Sequence, residues 1–284
     1  MFANQKYEIW TDSYWNHITR NIGPVKYSEQ EKLRTSKIAV FGVGGLGGSL
    51  AEQLIRAGCQ KIVIADFDIF DESNLNRQIC TLGDMGKTKI DVVEEHLKSI
   101  DPEINVIKTL EITPSNISFL LNEVKTVALS LDDPITSILI ARECRKRNIP
   151  MVESWGVPFL FTWWFTKESI DYESCYNLNT QYLSFNQMYI MKQDGEFQTY
   201  KALLPHVFSI PGVKETYDRE PGAFERMMSG EIGARSFAPF VRLSANYLAV
   251  DMIFAGILKV KPMVLAPNIV GFDYMRMKFF KTSL

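Results

Sequence analysis

The chain contains 284 residues, of which 46% are hydrophobic and 23% are charged, and its 31 Lys and Arg against 33 Asp and Glu leave a formal net charge of −2. This length fits about two domains or one enlarged α/β domain, and the composition excludes a disordered chain. The near-neutral balance offers no broad basic face, so we do not expect nucleic acid as the main partner, and no DNA binding is predicted.

Strands and helices alternate through the first half of the chain. The sequence predicts strands at 37–41, 61–65, 104–108, 126–130 and 151–153, and helices at 46–57, 86–100, 115–122 and 134–147. The strands are short β-branched runs, whereas the helices repeat apolar residues every three or four positions. This alternation predicts an α/β, Rossmann-like fold with a mostly parallel sheet flanked by helices.

The pattern changes after Trp155. Residues 159–166 predict a buried antiparallel strand, and residues 167–233, rich in Tyr, Asn, Gln and Met, predict an irregular variable region. The apolar stretch 236–258 contains Arg242 and Asp251, so we expect a buried core or oligomer helix and no membrane span. A C-terminal hairpin of antiparallel strands is predicted at 268–272 and 275–279.

A glycine-rich turn follows the first predicted strand and opens the next helix. It contains Gly42, Gly44, Gly45 and Gly47 within the string GVGGLG. Glycines allow a tight turn and a close approach of the backbone, and the helix N-terminus presents free N–H groups to a phosphate. Asp66 ends the next strand and is placed to accept hydrogen bonds from ribose hydroxyls. These features alone fit nicotinamide dehydrogenases as well as enzymes that use ATP.

The segment after Asp66 distinguishes the two classes. It reads FDIFDESNLNRQ and places Asp68, Asn74, Arg77 and Gln78 just beyond the strand end. A triphosphate needs Arg and Lys donors, and Mg²⁺ needs carboxylate oxygens. A nicotinamide dehydrogenase has no need of this cluster, so the sequence favours an ATP site.

The strings GVGGLG, DFD and SNLNRQ, at these separations, resemble the ThiF, MoeB and HesA family of ubiquitin-activating, E1-like adenylyltransferases. The resemblance extends over residues 20–158 and returns at the C-terminal string SFAPFV. It implies a single ThiF-type domain over 1–284. Its parts are an N-terminal arm at 1–30, a nucleotide-binding core at 31–166, a variable lid or acceptor region at 167–233, and a C-terminal helix and hairpin at 234–284.

The resemblance also implies roles for individual residues. Those matched to the family's ATP-binding set are Gly42, Gly44, Gly45, Gly47, Asp66, Asp68, Asn74 and Gln78. Those matched to its catalytic set are Arg20, Arg77, Lys89 and Asp132. Lys87 is an alternative to Lys89, because the choice between them depends on spacing alone.

Asp132 matches the family's magnesium-associated aspartate, so the resemblance implies ATP and Mg²⁺ as cofactors. The family usually has Asn next and an Arg five positions after this Asp, whereas this chain has Asp133 and Ser137. Arg20 matches an arginine that reaches the phosphates of the partner subunit, which implies a homodimer.

The four cysteines, Cys59, Cys80, Cys144 and Cys175, include no C-x-x-C pair. The family's usual zinc site is therefore not expected, and the chain resembles a zinc-free branch. The count favours a reduced, cytoplasmic compartment. Cys175 is a candidate for thioester or persulfide chemistry, but its acidic neighbours should raise the pKa of its thiol. An ordinary thiol is the alternative.

The resemblance implies an ATP-dependent adenylyltransferase that activates a carboxylate and releases pyrophosphate. The implied acceptor is the C-terminus of a ubiquitin-like or sulfur-carrier protein or of a peptide. Alternatives within the enzyme class are a small peptide or a modified tRNA base. A nucleotide-binding scaffold with weak catalysis and a nicotinamide oxidoreductase are alternatives from other classes. Trp155, Trp163 and Trp164 either line an acceptor channel or belong to the core.

Overall fold

The computed structural model describes residues 7–157, 159–197, 203–233 and 235–284. Its strands are β1 (Lys37–Phe41), β2 (Lys61–Ala65), β3 (Asn105–Thr109), β4 (Val124–Leu129), β5 (Met151–Glu153), β6 (Phe159–Phe165), β7 (Asn268–Asp273) and β8 (Lys278–Ser283). Within these ranges they form one eight-stranded sheet in the order β3-β2-β1-β4-β5-β6-β7-β8. Strands β1 to β5 pair in parallel, and the last three pairs are antiparallel. The predicted Rossmann-like, mostly parallel sheet with antiparallel C-terminal strands is confirmed.

Helices cover both faces of this sheet. They are α1 (Asp12–Ile18), α2 (Tyr27–Thr35), α3 (Gly45–Arg56), α4 (Lys89–Ile100), α5 (Ile117–Leu120), α6 (Pro134–Arg147), α7 (Tyr172–Cys175), α8 (Phe185–Gln193), α9 (Leu204–Phe208), α10 (Val213–Tyr217), α11 (Ala223–Ser229) and α12 (Ala238–Asp251). Side chains of β1 alternate between the faces, since Ile38 and Val40 pack with α3, α4 and α12. Ala39 and Phe41 pack on the other side with α5 and α6. Burial on both faces explains why the strand is apolar from Ile38 to Phe41.

The sheet order reverses direction between β1 and β4. From β1 the chain moves outward to β2 and β3, and then returns to β4 and β5 on the other side. In open parallel sheets, ligands bind beyond the carboxyl ends of the strands at such a reversal, because the loops there diverge and leave a crevice. The glycine-rich turn follows β1, and Asp132 follows β4. The topology therefore brings the two motifs to one crevice.

The long apolar stretch forms α12 and a π-helical turn at Met252–Ile257. By length and composition the 20 residues Ala238–Ile257 could cross a membrane. However, 61% of the 18-residue apolar stretch within them is buried in the fold. The charge of Asp251 is buried and has protein partners, because it pairs with Lys261 and accepts hydrogen bonds from Thr162 and Trp164. This helix packs against α3 and β6 as a core helix.

The prediction of an irregular region at 167–233 is wrong for much of its length, because α7 to α11 lie there. These helices have four to nine residues, too few for a clear apolar period. Glycines with a positive φ separate several of them, since Gly195 follows the end of α8 whereas Gly212 and Gly222 are the N-caps of α10 and α11. Residues 198–202 fall within this prediction but outside the described ranges.

The two largest differences in where a predicted element begins are three residues each. The helix predicted from residue 86 begins at Lys89, because Thr88 forms a β-bridge with Ile69 and Gly86 donates to the carbonyl of Phe70. The last strand begins at Lys278 rather than 275, because Asp273 accepts hydrogen bonds from two turn amides that follow it. Backbone bonds to residues 68–70 hold the first of these turns, and side-chain bonds to the backbone hold the second. Apolar periodicity detects neither kind of contact.

Candidate functional site

The glycine-rich turn lies against the end of β4. Gly42 has a φ of +87°, and a Cβ there would overlap the carbonyl oxygen of Ser130. A Cβ on Gly47 would overlap the carbonyl oxygen of Gly42. Gly44 is the N-cap of α3, and Gly45 is its first residue. Only glycine therefore allows the chain to turn this closely and to expose the first amides of a twelve-residue helix at the crevice.

Asp66 ties the end of β2 to this turn. One carboxyl oxygen accepts a hydrogen bond from the backbone N–H of Val43 at 2.8 Å, and the other accepts from that of Asp68 at 3.0 Å. Burial raises the pKa of Asp66, while the nearby Lys89 acts in the opposite direction. The proposed ribose acceptor thus also holds the glycine turn in place, a structural contact that the sequence did not indicate.

The structure separates the two candidate lysines. Lys89 is buried and its Nζ lies 2.6 Å from Asp68 Oδ2. Lys87 pairs with Asp84 at 2.9 Å on the surface and does not line the crevice, and this pair lowers the pKa of Asp84 to about 2. Of the two, Lys89 is therefore the one placed to reach a bound ligand.

Two buried amide side chains in the crevice have unused hydrogen-bonding capacity. Asn74 Oδ1 and Gln78 Oε1 are both buried and accept no hydrogen bond. Arg77 stands between them in sequence, contacts Gly45 with its aliphatic stem, and donates to the carbonyl of Ser73 at 2.9 Å. Buried polar atoms in native proteins normally have partners, so the two free oxygens point to a ligand, a metal-bound water or another donor that fills the crevice.

These residues line a cavity of about 500 Å³. Of the sequence-predicted site residues, it brings together Gly42, Gly44, Gly45, Asp66, Asp68, Asn74, Arg77, Gln78, Lys89 and Asp132. Gly47 lies behind the turn and does not line the space. Arg20 is exposed outside it, next to Asn21, which donates to the carbonyl of Ala57 beyond the C-terminal end of α3. The length of α3, about 18 Å, therefore separates Arg20 from the glycine turn of its own chain.

Asp132 faces the cavity from the end of β4. Burial raises its pKa, and the negative charges of Asp68 and Asp133 act in the same direction against Lys89. Asp133 has a different task, because it caps α6 through the N–H of Thr136 at 3.0 Å and pairs with Lys192 at 2.9 Å. The residue that departs from the family pattern is thus occupied by contacts outside the cavity.

The donor set suits a magnesium ion that is bound together with a nucleotide. Among the described residues, no group of three or more His, Cys, Asp and Glu side chains is placed to hold a metal ion alone. Mg²⁺ in nucleotide sites typically uses one or two carboxylates together with substrate phosphates and water. Asp132 and the unpartnered oxygens of Asn74 and Gln78 supply such ligands or accept hydrogen bonds from bound water.

A second cavity of about 500 Å³ adjoins the first and shares Asp66, Phe67 and Leu131 with it. Ile112 and Ile135 contribute apolar surface from the core. One wall is helix α8 of the variable region, whose contributing residues are Phe185, Asn186, Tyr189 and Lys192. This wall has no signal in the sequence, because α8 is too short for a periodic pattern.

Several cavity residues were missed or left open by the sequence. Glu153 and Ser154 at the end of β5 line the first cavity, together with Trp155. Glu153 could have been identified from the sequence, because it is an acidic residue at the carboxyl end of a predicted parallel strand. Trp163 and Trp164 are fully buried, so for these two the core alternative is confirmed.

Cys175 is 5% exposed at the end of α7. Burial raises the pKa of its thiol to about 12, with further contributions from Glu153 and Asp171. The predicted rise in the pKa of this thiol is confirmed, but its main cause is burial. The neighbouring acid Glu173 does not contribute, because it pairs with Arg142. A thiol of this kind is a poor nucleophile at neutral pH.

The family model described as the ThiF family matches residues 18–283. A tRNA threonylcarbamoyladenosine dehydratase of Bacillus subtilis is 35% identical over 144 residues, which are 50% of this chain and 57% of that protein. The sulfur carrier protein ThiS adenylyltransferase of the same organism is 32% identical over 145 residues, covering 48% and 43% respectively. The chain thus spans about half the length of these curated relatives.

Solved structures share the fold over nearly the whole chain. A crystal structure of PaaA has a TM-score of 0.67 at 18% identity and covers 99% of this chain and 86% of that one. Escherichia coli MccB, crystallised with AMPCPP and MccA, has a TM-score of 0.64 at 19% identity and covers 96% and 73%. With the family model spanning the sheet, the glycine turn and the C-terminal helix, the chain belongs to the ThiF family.

Proposed function

We propose that this chain is an ATP-dependent adenylyltransferase that activates a carboxylate as an acyl adenylate. The acceptor proposed is the C-terminus of a ubiquitin-like or sulfur-carrier protein or of a peptide. The observation that carries the proposal is the first cavity itself. There a glycine turn with free helix amides, the cations Arg77 and Lys89, the acid Asp132 and two unpartnered amide oxygens face one space.

The order of the strand ends suggests how ATP lies in the crevice. The phosphates are placed at the N-terminus of α3, where the free N–H groups favour an anion. Asp66, one strand away at the end of β2, is placed to accept hydrogen bonds from the ribose. The base then extends into the second cavity, between Ile112 and Leu131 and the wall formed by α8.

In the proposed reaction a carboxylate oxygen of the acceptor attacks the α-phosphorus of ATP. The bond from this phosphorus to the bridging oxygen breaks, and pyrophosphate leaves with that electron pair. The nucleophile is already ionised at neutral pH, so no general base is required. The protein's task is to position the reactants and to stabilise the charge that develops.

Lys89 and Arg77 are the cations that this chain supplies to that charge. Lys89 is held by Asp68 before ligand binds, which pre-positions a buried ammonium at the cavity. Arg77 keeps donors available beside Gly45 at the start of α3. Bound Mg²⁺ would supply further neutralisation of phosphate oxygens, with Asp132 as its protein ligand.

We propose that Arg20 acts on the cavity of a partner subunit in a homodimer. It is exposed and lies at the far end of α3 from its own glycine turn. Its position therefore leaves it free for a neighbouring copy and does not suit a role within its own chain. A cytoplasmic location is proposed with it, because the activity needs cytoplasmic ATP.

The relatives suggest two acceptor classes. The ThiS adenylyltransferase acts on a sulfur-carrier protein, and MccB was crystallised with the peptide MccA. The dehydratase, by contrast, acts on a modified tRNA base. We favour a protein or peptide terminus because the chain has a net charge of −2 and no large basic surplus for tRNA.

Acceptor-dependent exchange of labelled pyrophosphate into ATP tests the proposal. Candidates are a sulfur-carrier protein ending in Gly-Gly, the same protein lacking its last two residues as the matched control, and unmodified and modified tRNA. We expect exchange with the intact carrier and none with the truncated one. Exchange with tRNA alone would establish the alternative acceptor. ATP binding without exchange would favour a scaffold, and NAD binding without ATP binding would refute the proposal.

A further inference from the structure

Glu153 is the last residue of β5 and lines the first cavity, although its side chain is only 2% exposed. The sheet order places its strand two positions beyond β1, on the side away from β2 and Asp66. Neighbouring strands are about 4.8 Å apart, so Glu153 lies roughly 10 Å across the sheet from the glycine turn. It therefore marks the end of the cavity opposite the proposed ribose contact.

The carboxyl group of Glu153 connects the cavity to the variable region. Tyr176, next to the end of α7, donates its hydroxyl hydrogen to Glu153 Oε2 at 2.6 Å. His206 of α9 packs edge-on against the ring of Tyr176, with ring centroids 5.6 Å apart. On β6, Trp163 stands directly opposite Glu153 in the antiparallel register. An acceptor that enters at this end thus meets a carboxyl group whose position depends on two parts of the fold.

The surroundings of Glu153 favour its uncharged form. Burial raises its pKa to about 8, while Tyr176 and Trp163 act in the opposite direction. Both of these partners are neutral, and the other titratable groups facing it are the Tyr172 hydroxyl and the Cys175 thiol of α7. No cation is among the groups that influence its pKa. A carboxyl group that is buried without a cation avoids the cost of desolvating its charge by keeping its proton.

The charge state of Glu153 determines what can bind beside it. The cavity already contains the acids Asp66, Asp68, Asp71 and Asp132, which outnumber its two cations, Lys89 and Arg77. Another carboxylate would repel both the acceptor's carboxylate and the phosphates of ATP. A protonated carboxyl group avoids this repulsion and can in addition donate one hydrogen bond to an anionic oxygen.

We propose that Glu153 is an acceptor-binding residue that works as a neutral acid and donates a hydrogen bond to the acceptor's terminal carboxylate. This rests on the function proposed above. It makes the chain specific for acceptors that present an anionic terminus at the β5 end of the cavity. It also gives ligand binding an upper pH limit, because loss of the proton introduces a repulsive charge.

The first test measures the titration of Glu153 in the ligand-free protein. Carboxyl-labelled glutamate is followed by ¹³C NMR, and the signal is assigned by its absence in Glu153→Gln. We expect a midpoint near pH 8. Tyr176→Phe removes a hydrogen bond that favours the ionised form, so its midpoint should be higher, and this shift also assigns the signal if Glu153→Gln does not fold. A midpoint below about pH 6 would overturn the proposal.

The second test uses AMPCPP with Mg²⁺ as the probe and calorimetry as the readout. For one charge pair about 10 Å apart at an effective dielectric of about 20, repulsion lowers affinity on the order of tenfold. Wild-type affinity should therefore fall roughly fivefold to tenfold more than that of Glu153→Gln as the pH rises from about 7 to about 9.5. Equal pH dependence of the two proteins would overturn the proposal.

The two tests distinguish failure of this proposal from failure of the proposed function. If AMPCPP binds at no pH, the proposed function fails, whereas the NMR midpoint still reports on Glu153. For any acceptor that supports pyrophosphate exchange, the wild-type KM for that acceptor should rise through about pH 8 with kcat nearly constant. The KM of Glu153→Gln should remain flat, and a parallel rise in both proteins would contradict acceptor binding by Glu153.

Discussion

Replacing Lys89 by alanine tests the electrostatic core of the proposed site, and Lys87 offers a matched control two residues away. Each lysine forms one ion pair with an aspartate, Lys89 with Asp68 at 2.6 Å and Lys87 with Asp84 at 2.9 Å. The side chains are 8% and 51% exposed respectively. The two substitutions therefore remove the same chemistry, once inside the cavity and once outside it.

The expected losses of exchange rate and of stability follow from the positions of the two lysines. Loss of one group that stabilises developing charge in a protected site lowers a rate about 10²–10³-fold, equivalent to about 2.7–4 kcal/mol. We expect a loss of this size in pyrophosphate exchange for Lys89→Ala, and a change of less than about twofold for Lys87→Ala. Both pairs include a well-exposed partner, so each substitution should change the free energy of unfolding by no more than about 1 kcal/mol.

The assay is acceptor-dependent pyrophosphate exchange at saturating ATP, with thermal unfolding of both variants measured in parallel. Equal stability with unequal activity would assign the loss to the cavity. The reasoning would be refuted if Lys87→Ala lost as much activity as Lys89→Ala. It would be refuted equally if Lys89→Ala kept more than about a third of the wild-type rate.

Three further predictions concern the glycine turn, the buried thiol and the subunit arrangement. Gly47→Ala should lower the free energy of unfolding by about 1–3 kcal/mol and weaken ATP binding, because its Cβ would overlap the Gly42 carbonyl; Gly83→Ala, whose Cβ would meet only Thr81 Oγ1 at 3.7 Å, is the control in thermal denaturation. Wild-type protein incubated with ATP, Mg²⁺ and a labelled carrier should form no thiol-cleavable covalent complex with the carrier, since a buried thiol with a pKa of about 12 is not expected to act as a nucleophile; such a complex in the wild type that is absent in Cys175→Ser would restore the thioester hypothesis. Arg20→Ala and Lys89→Ala should each be inactive alone, yet an equal mixture that exchanges subunits should recover roughly one quarter of the activity, because half the dimers then contain one intact site built from both chains; no recovery would contradict action of Arg20 on the partner.

The regular part of the fold could be predicted because its pattern is strong and local. Strands β1 and β2 lie at the predicted residues, and helix α6 begins at Pro134 and ends at Arg147 as expected. Both strands are buried β-branched runs with clear ends. The helix has an Asp133 cap, a proline in its first turn and Asn148 in the left-handed conformation at its end.

The parts that could not be predicted depend on contacts between distant segments. Lys87 and Lys89 have the same side chain, and the bridge between Ile69 and Thr88, with the backbone bonds beside it, orients Lys89 rather than Lys87 towards the cavity. The sequence predicts Glu153 only as the end of a short strand. Its burial could not be predicted, because it depends on β6 and on Tyr176 in the variable region. Short helices such as α8 lack the length that a periodic signal needs.

Isotope transfer shows whether the cavity moves the adenylyl group of ATP to a carboxylate. A carrier protein whose terminal carboxylate contains ¹⁸O is incubated with ATP and Mg²⁺, and the adenylate is then released by a thiol or amine nucleophile. If the carboxylate attacks the α-phosphorus, pyrophosphate is the co-product and one ¹⁸O appears in the phosphate of AMP. Formation of ADP and inorganic phosphate, with no ¹⁸O in the nucleotide, would contradict it.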